Sequence, residues 1–250
     1  ENVTEYYNAY TWNIGYLRNG IMVGSPVTTI TGHAYSRNDA GQILINPKTG
    51  LPTTDSESSI LGNREPKLRY GITTSFSHKG FRLSAMFSGR YKATVVNGTK
   101  YYGMKRGTSW ESVKMRERGP VIFDGVLEDG LENTDNPTIN NISVTYDTYG
   151  SSIYGGGDED WIEKNINYLR LRELRLSYNL PSKLLSRTIF SKINVYVAGN
   201  DLLTWTNYSG VDAVGNSMSA AAGGTGGEGF DFFGIPNPRG YSFGLSISFK

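Results

Sequence analysis

The residues that could do chemistry in this chain are few, and their spacing is uninformative for catalysis. There is no Cys, which removes disulfides, thiolate nucleophiles and Cys-ligated zinc together. The two His residues, His33 and His78, stand far apart with no ligand pattern around them, so a His-rich metal centre or a His-dependent triad is not expected. Twenty-three acidic residues are available for a glycosidase-type carboxylate pair, but none lies in an identifiable motif at a strand end. Two acidic groups, Asp158, Glu159 and Asp160, and Asp124 with Glu128 and Asp129, have the oxygen density a Ca²⁺ ion would need. Solvated loop charge is the commoner reading of such groups, and no metal site is expected. The Gly-rich run 223–229 lacks the Lys-Ser/Thr pair and the strand-to-helix setting of a phosphate loop, so it reads as a flexible connection, with no cofactor implied. The aromatic residues of irregular segments, Trp110, Tyr154, Trp161, Trp205, Tyr208, Phe230, Phe232 and Phe233, have more to offer. Such rings stack on sugars or pack on a partner, and the alternative is that they pack internally or belong to an interfacial girdle.

Strands must position such rings. Lys plus Arg is 25 and Asp plus Glu 23, a net charge of +2, which offers no basic excess for nucleic acid. Gly, at 31 of 250 residues, and 17 Tyr favour strands and turns over helices. No apolar run is long enough for a transmembrane helix, but a spanning β-strand needs only about ten alternating residues.

That alternation is present. Leu68, Tyr70, Ile72, Thr74 and Phe76 alternate with polar residues, a turn follows at 78–80, and the pattern resumes in Phe81, Leu83, Ala85 and Phe87, an antiparallel hairpin. At the end of the chain Tyr241, Phe243, Leu245, Ile247 and Phe249 share one face and Ser242, Gly244, Ser246 and Ser248 the other. Strands also fit Ile166–Asn179 and Lys192–Leu203; in the first, Leu169 and Leu171 change parity against Leu174, Leu176 and Tyr178, which calls for a β-bulge near Arg172–Glu173. A further strand is expected within 5–17. Residues 18–66, 92–165 and 204–240 show little period and read as long loops, whereas 78–80 and 180–191 are short turns. Long loops at one end and short turns at the other are the asymmetry of an outer-membrane barrel.

Three segments carry a resemblance. Tyr168–Pro181, Val195–Asp212 and Ile235–Leu245 are jointly similar to the closing segments of SusC/RagA-like TonB-dependent outer-membrane transporters. Upstream, Val23–Pro26, Asp39–Gln42 and Leu61–Lys67 match the loop before the barrel hairpin of that family. The similarity spans about 20–91 and 160–250. Departures are Asp201, where the family usually has Asn; Ala213, where an acid is usual; and Lys250 after Phe249. The resemblance implies an all-β fold, the C-terminal portion of a 22-stranded antiparallel transmembrane β-barrel. Its strands would lie near 5–17, 67–78, 81–91, 166–179, 191–203 and 240–250, with the plug domain outside residues 1–250.

A sheet of six strands would leave unpaired edges in lipid, so the remainder of the barrel must supply the missing ones. By parity, 18–66, 92–165 and 204–240 would be extracellular. The turns 78–80 and 180–191 would be periplasmic, bringing Lys79, Lys183, Arg187 and Lys192 near the interface. The resemblance further implies a non-enzymatic importer of oligosaccharides or peptides, located in the bacterial outer membrane and in contact with its lipid. A SusD-like surface lipoprotein would act as a lid, and TonB would engage through the plug. Trp110, Tyr154, Trp161, Trp205, Tyr208, Phe230 and Phe232 are the candidate substrate- or partner-facing residues. The competing class is a secreted β-sandwich carbohydrate-binding module, which would need a second sheet over the apolar face of 241–249.

Overall fold

A computed structural model of the chain describes residues 5–7, 14–146, 157–213, 227 and 229–250. Residues 8–13 of the strand expected within 5–17 and most of the Gly-rich run lie outside the described residues; of the rest of 5–17, Glu5–Tyr7 pairs in a separate four-stranded sheet and Ile14–Leu17 is a turn, so this stretch is no strand of the long sheet among the described residues. The strands are β1 (Glu5–Tyr7), β2 (Arg18–Met22), β3 (Thr29–Gly32), β4 (Leu44–Ile45), β5 (Ser59–Asn63), β6 (Leu68–His78) and β7 (Phe81–Asn97). They are followed by β8 (Val121–Ile122), β9 (Val126–Leu127), β10 (Ser143–Val144), β11 (Ile162–Asn179), β12 (Phe190–Thr206), β13 (Phe230–Asp231) and β14 (Gly240–Phe249). Helices are α1 (Gly98–Lys105), α2 (Trp110–Arg118) and the single turn α3 (Ser182–Leu185). The chain divides into two units: 1–65, 94–164 and 214–234 form one, and 66–93, 165–213 and 235–250 the other.

The second unit is an antiparallel sheet ordered β6-β7-β11-β12-β14. Its registers put the alternating pattern to use. Ile72 lies opposite Phe87 and Phe76 opposite Leu83, while Val197 faces Phe243 and Val195 faces Leu245. Phe81 stacks on Tyr178 with centroids 4.4 Å apart, so the apolar rows of the hairpin and of β11 share one face. That face is bare: Phe76 is 70% exposed, Tyr241 76% and Phe243 91%. The opposite face is small and polar, with Ser177, Asn194, Ser242 and Ser246, and with Arg175 3.8 Å from the centroid of the Tyr196 ring. Residues on both faces of β6 and of β14 are exposed, so this is a single-layer wall. Its edges, β6 and β14, carry no further strand among the described residues.

Two glycines let rings lie across the ladder. Gly89 faces Tyr70, and a Cβ there would overlap the Tyr70 ring and sit 2.6 Å from the Tyr168 carbonyl, which accepts from the Tyr70 hydroxyl (3.3 Å). Gly244 faces Tyr196 on the other side of the sheet, where a Cβ would lie 2.5 Å from the ring.

A register break falls between Leu171 and Glu173, but Leu171 lies opposite Leu203 and Glu173 opposite Asn200, so the extra residue is on β12 and not on β11, where the parity change places it. Asp201 takes φ 50° there, a left-handed conformation that Asn and Asp tolerate better than most residues. Its carboxylate lies 3.5 Å from Arg172. Just beyond, Arg170 pairs with Asp212 (2.8 Å) and donates to Thr204 Oγ1 (3.2 Å), with its side chain only 6% exposed. A second irregularity falls at Lys92 (φ 55°) and Asn165 (φ 58°). Side-chain amides replace ladder bonds there: Asn167 Oδ1 accepts from Lys92 N, and Asn207 Oδ1 from Asn167 N.

The hairpin strand is longer than its alternation. After Lys92 the residues Ala93–Asn97 are all buried, so period two gives way to a continuous buried run ending in the first unit. That unit is built from segments read as loops in the sequence. It holds the sheet β1-β2-β3-β5, two two-stranded pairs (β8 with β10, β4 with β9) and helices α1 and α2. Strands of two to five residues are too short to show a period. The helices are capped rather than patterned: Asn97 Oδ1 accepts from Lys100 N and Ser109 Oγ from Ser112 N. The core of this unit gathers Ile14, Leu17, Ile30, Leu61, Val96, Tyr101, Met104, Trp161 and Phe230.

Candidate functional site

The aromatic residues divide sharply by burial. Trp161 (5% exposed) and Phe230 (2%) are core residues, and Tyr208 (6%) is buried as well. These three are corrected from surface candidates to packing residues. Trp161 meets Tyr101 edge-on at 5.2 Å, and Phe230 is fixed by the parallel pairing of β13 with Val96–Asn97 of β7. Trp205 is on strand β12, opposite Leu169, and half exposed rather than in a loop. Tyr154 lies outside the described residues. Trp110 opens α2 and is 65% exposed, with Lys114 Nζ 5.6 Å from its ring.

Phe232 is half-buried and belongs to a run of rings leading outward from the core. Tyr101 packs edge-on to Tyr102 (5.1 Å), Tyr102 to Phe232 (5.3 Å), and Phe232 to Phe233 (5.3 Å). Phe233 is exposed with φ 53°, and its N–H donates to Thr99 Oγ1 at 2.9 Å, which fixes the turn. The sequence reading missed Tyr101 and Tyr102. The signal that places them is the Asn97-Gly98-Thr99 helix start, which turns an apparent loop into α1.

The acidic group Asp158, Glu159 and Asp160 is engaged by protein. Asp158 is fully buried, and its carboxylate accepts from the backbone N–H of Tyr16 (3.1 Å) and of His33 (2.8 Å). Gly15 and Gly32 leave room for it: a Cβ at Gly15 would overlap Asp158 Oδ1, and one at Gly32 would sit 2.7 Å from Oδ2. Burial pushes the Asp158 carboxyl up to about 6, opposed by the two backbone donors and by Arg18. Tyr35 Oη donates to Asp160 Oδ2 (2.6 Å), and Arg37 pairs with Glu159 at 2.6 Å. Burial raises the Tyr35 phenol, and the neighbouring Asp160 carboxylate raises it further, so Tyr35 remains a donor at neutral pH. The 157–161 turn is thus fastened to alternate residues 33, 35 and 37.

In the second acidic segment, a hydrogen bond from Thr138 holds the Asp129 carboxyl below its ordinary value, helped by the Leu131 N–H. No group of three potential metal ligands occurs among the described residues. Among the described residues the unit exposes ring surface, Trp110 and Phe233 with the flank of Phe232.

No family model matches the chain. Two curated relatives do, both from Formosa agariphila. TonB-dependent receptor P26 is 24% identical over 200 residues, 80% of this chain and 18% of the relative. TonB-dependent receptor P3 is 24% identical over 245 residues, 94% of this chain and 22% of the relative. Among solved structures, the RagAB peptide importer in its open-open state matches with TM-score 0.56 at 21% identity, over 99% of this chain and 24% of that one. The closed-closed state of the same importer gives TM-score 0.58 over 100% of this chain and 25% of that one. The chain thus spans about a fifth of the length of these receptors and about a quarter of the matched importer chain. The likeness to TonB-dependent receptors that three sequence segments carry is therefore shown by relatives over most of the chain, and its mostly antiparallel β-sheet has the fold of the matching part of the RagAB peptide importer.

Proposed function

We propose that this chain supplies barrel wall and extracellular loop structure to a SusC/RagA-like TonB-dependent transporter of the bacterial outer membrane. The transporter imports oligosaccharides or peptides with a SusD-like lipoprotein as lid, and no covalent chemistry is performed. The observation that carries this reading is the single-layer sheet with a bare apolar face. A soluble sandwich must cover such a face with a second layer. In a barrel the same face meets hydrocarbon and the polar face lines the lumen. The edges β6 and β14 then pair with strands contributed by the rest of the barrel, since no backbone group can stay unpaired in lipid.

In this reading the unit of short strands and capped helices is extracellular. Trp110, Phe232 and Phe233 are its ring surface for substrate or lid, joined by Tyr154 from the sequence. Trp205 stands at the end of a wall strand, where interfacial aromatics belong.

Outer membranes extracted in mild detergent and run unboiled should show this chain in a compact, fast-migrating band that boiling shifts. Recovery of the chain alone in the soluble fraction, with no heat-dependent shift, would sink the proposal and revive the secreted binding module. Substitution of Trp110 and Phe233 by Ala should lower uptake of the cognate oligomer while leaving the heat-modifiable band intact.

A further inference from the structure

The end of the sheet that carries the short turns has a composition unlike the rest of the chain. Residues 66–93, 174–200 and 235–250 contain no Asp or Glu, yet they include Lys79, Lys183, Arg187 and Lys250 at or beside the turns. The structure brings these turns together. Asn179 N donates to the Gly80 carbonyl (2.8 Å), which joins the 78–80 turn to the end of β11, and Lys250 N donates to Ile189 O (3.0 Å). The Lys250 side chain is committed to the fold, because its ammonium donates to the carbonyls of Thr188 (2.7 Å), Ser186 (3.1 Å) and Leu185 (3.4 Å), closing the end of α3. Ser186 and Thr188 hydroxyls fasten the same turn to Lys183 O and Leu185 O, both at 2.9 Å. Lys79, Lys183 and Arg187 are exposed, and none makes an ion pair among the described residues.

Apolar side chains stand among these cations. Leu185 is buried beneath the turn, but Leu184 is 67% and Ile189 68% exposed. The apolar sheet face begins alongside, at Phe81 and Tyr178. An exposed Leu and Ile on a turn fixed by so many hydrogen bonds gain nothing from water. Set at the edge of a hydrocarbon layer they are buried, and long cationic side chains beside them reach the head-group plane.

We propose that this rim is a binding surface for anionic phospholipid head groups: Lys79, Lys183 and Arg187 engage the phosphates while Leu184 and Ile189 enter the acyl boundary. The proposal rests on the barrel reading above. Charge complementarity favours this occupant, because the rim is cationic with no Asp or Glu side chain and is continuous with an apolar band.

The test uses the intact transporter purified from outer membranes and placed in phosphatidylcholine nanodiscs with a minor fraction of phosphatidylglycerol. Spin-labelled forms of each lipid report association with the protein. The wild type should hold phosphatidylglycerol over phosphatidylcholine by up to about fivefold, the weight of one Lys or Arg near an anionic surface. The preference should vanish in the Lys79→Gln, Lys183→Gln, Arg187→Gln variant, and also at ~1 M salt, where screening reaches ~3 Å. An Arg187→Lys variant should retain it, and the heat-modifiable band confirms that each variant is folded. A folded wild type without preference, or a triple variant that keeps it, overturns the proposal. So does a triple variant that loses binding to an acidic periplasmic protein while lipid selectivity stands unchanged. If alkaline carbonate releases the wild type from membranes, the barrel reading itself has failed, a result separate from lipid selectivity.

Discussion

Asp158 shows how much a single buried carboxylate can organise. With its two backbone donors it ties the 157–161 turn to residues 14–16 and 33, across more than 120 positions of sequence. Its carboxyl is raised to about 6, above the ordinary value near 4. The folded state therefore holds the proton more tightly than the unfolded one. The stabilising contribution is complete below pH ~4 and is lost as pH rises through about 6, a difference on the order of 2–3 kcal/mol. Hydrogen exchange of the Tyr16 and His33 amides, corrected for intrinsic rates, should accordingly slow between pH 7 and pH 5. Asp158→Asn should abolish that dependence and cost about 1–3 kcal/mol, because its amide turns a donor toward one of the two N–H groups. The sequence disclosed the three acids but not their use. Nothing in the spelling of Asp158-Glu159-Asp160 distinguishes a cation cage from carboxylates already satisfied by Tyr16, His33, Tyr35 and Arg37. The burial of two aromatic candidates was hidden for a related reason: that of Trp161 and Phe230 is set by β13 and α1, elements too short to leave a periodic trace.

At the scale of elements the sequence was most legible where period two runs longest. The strands of the hairpin and β14 alternate in the sequence over 68–76, 81–87 and 241–249, and one face is mostly apolar, so their registers follow. The parity change in β11 points to the place where the register breaks but to the wrong strand. The extra residue sits on β12 at Asp201, a placement that no pattern within β11 could reveal. Beside the break, Arg170 is held by Asp212 and Thr204 with little access to water. Arg170→Ala removes the guanidinium that holds Asp212 and Thr204 and should destabilise the sheet by roughly 1–3 kcal/mol. Replacing both members with apolar residues should recover most of that loss. The midpoint temperature of the heat-dependent gel shift measures both variants. The first unit lay beyond this kind of reading, because two-residue bridges and capped helices have no period to detect.

For the whole molecule, the two faces of the sheet make opposite demands on the same strand. Leu245→Arg would place a charge on the apolar face and should cost about 2–4 kcal/mol if the position lies near the bilayer midplane. Ser246→Arg, one residue on, points to the polar face opposite Asn194 and should be tolerated. Yields of heat-modifiable protein in outer membranes compare the two directly, and equal yields would contradict a lipid-facing sheet. The pairs Tyr70–Gly89 and Tyr196–Gly244 carry a different consequence. In each, a ring occupies the space its cross-strand partner gives up, on one face of the wall and then on the other. Neither partner can change alone: a side chain at the glycine collides with the ring, and loss of the ring bares the backbone beside the glycine. Inheritance should treat each pair as one character, so related barrels that lack the tyrosine should also have lost the glycine, and a collection of their sequences would show the two positions moving together.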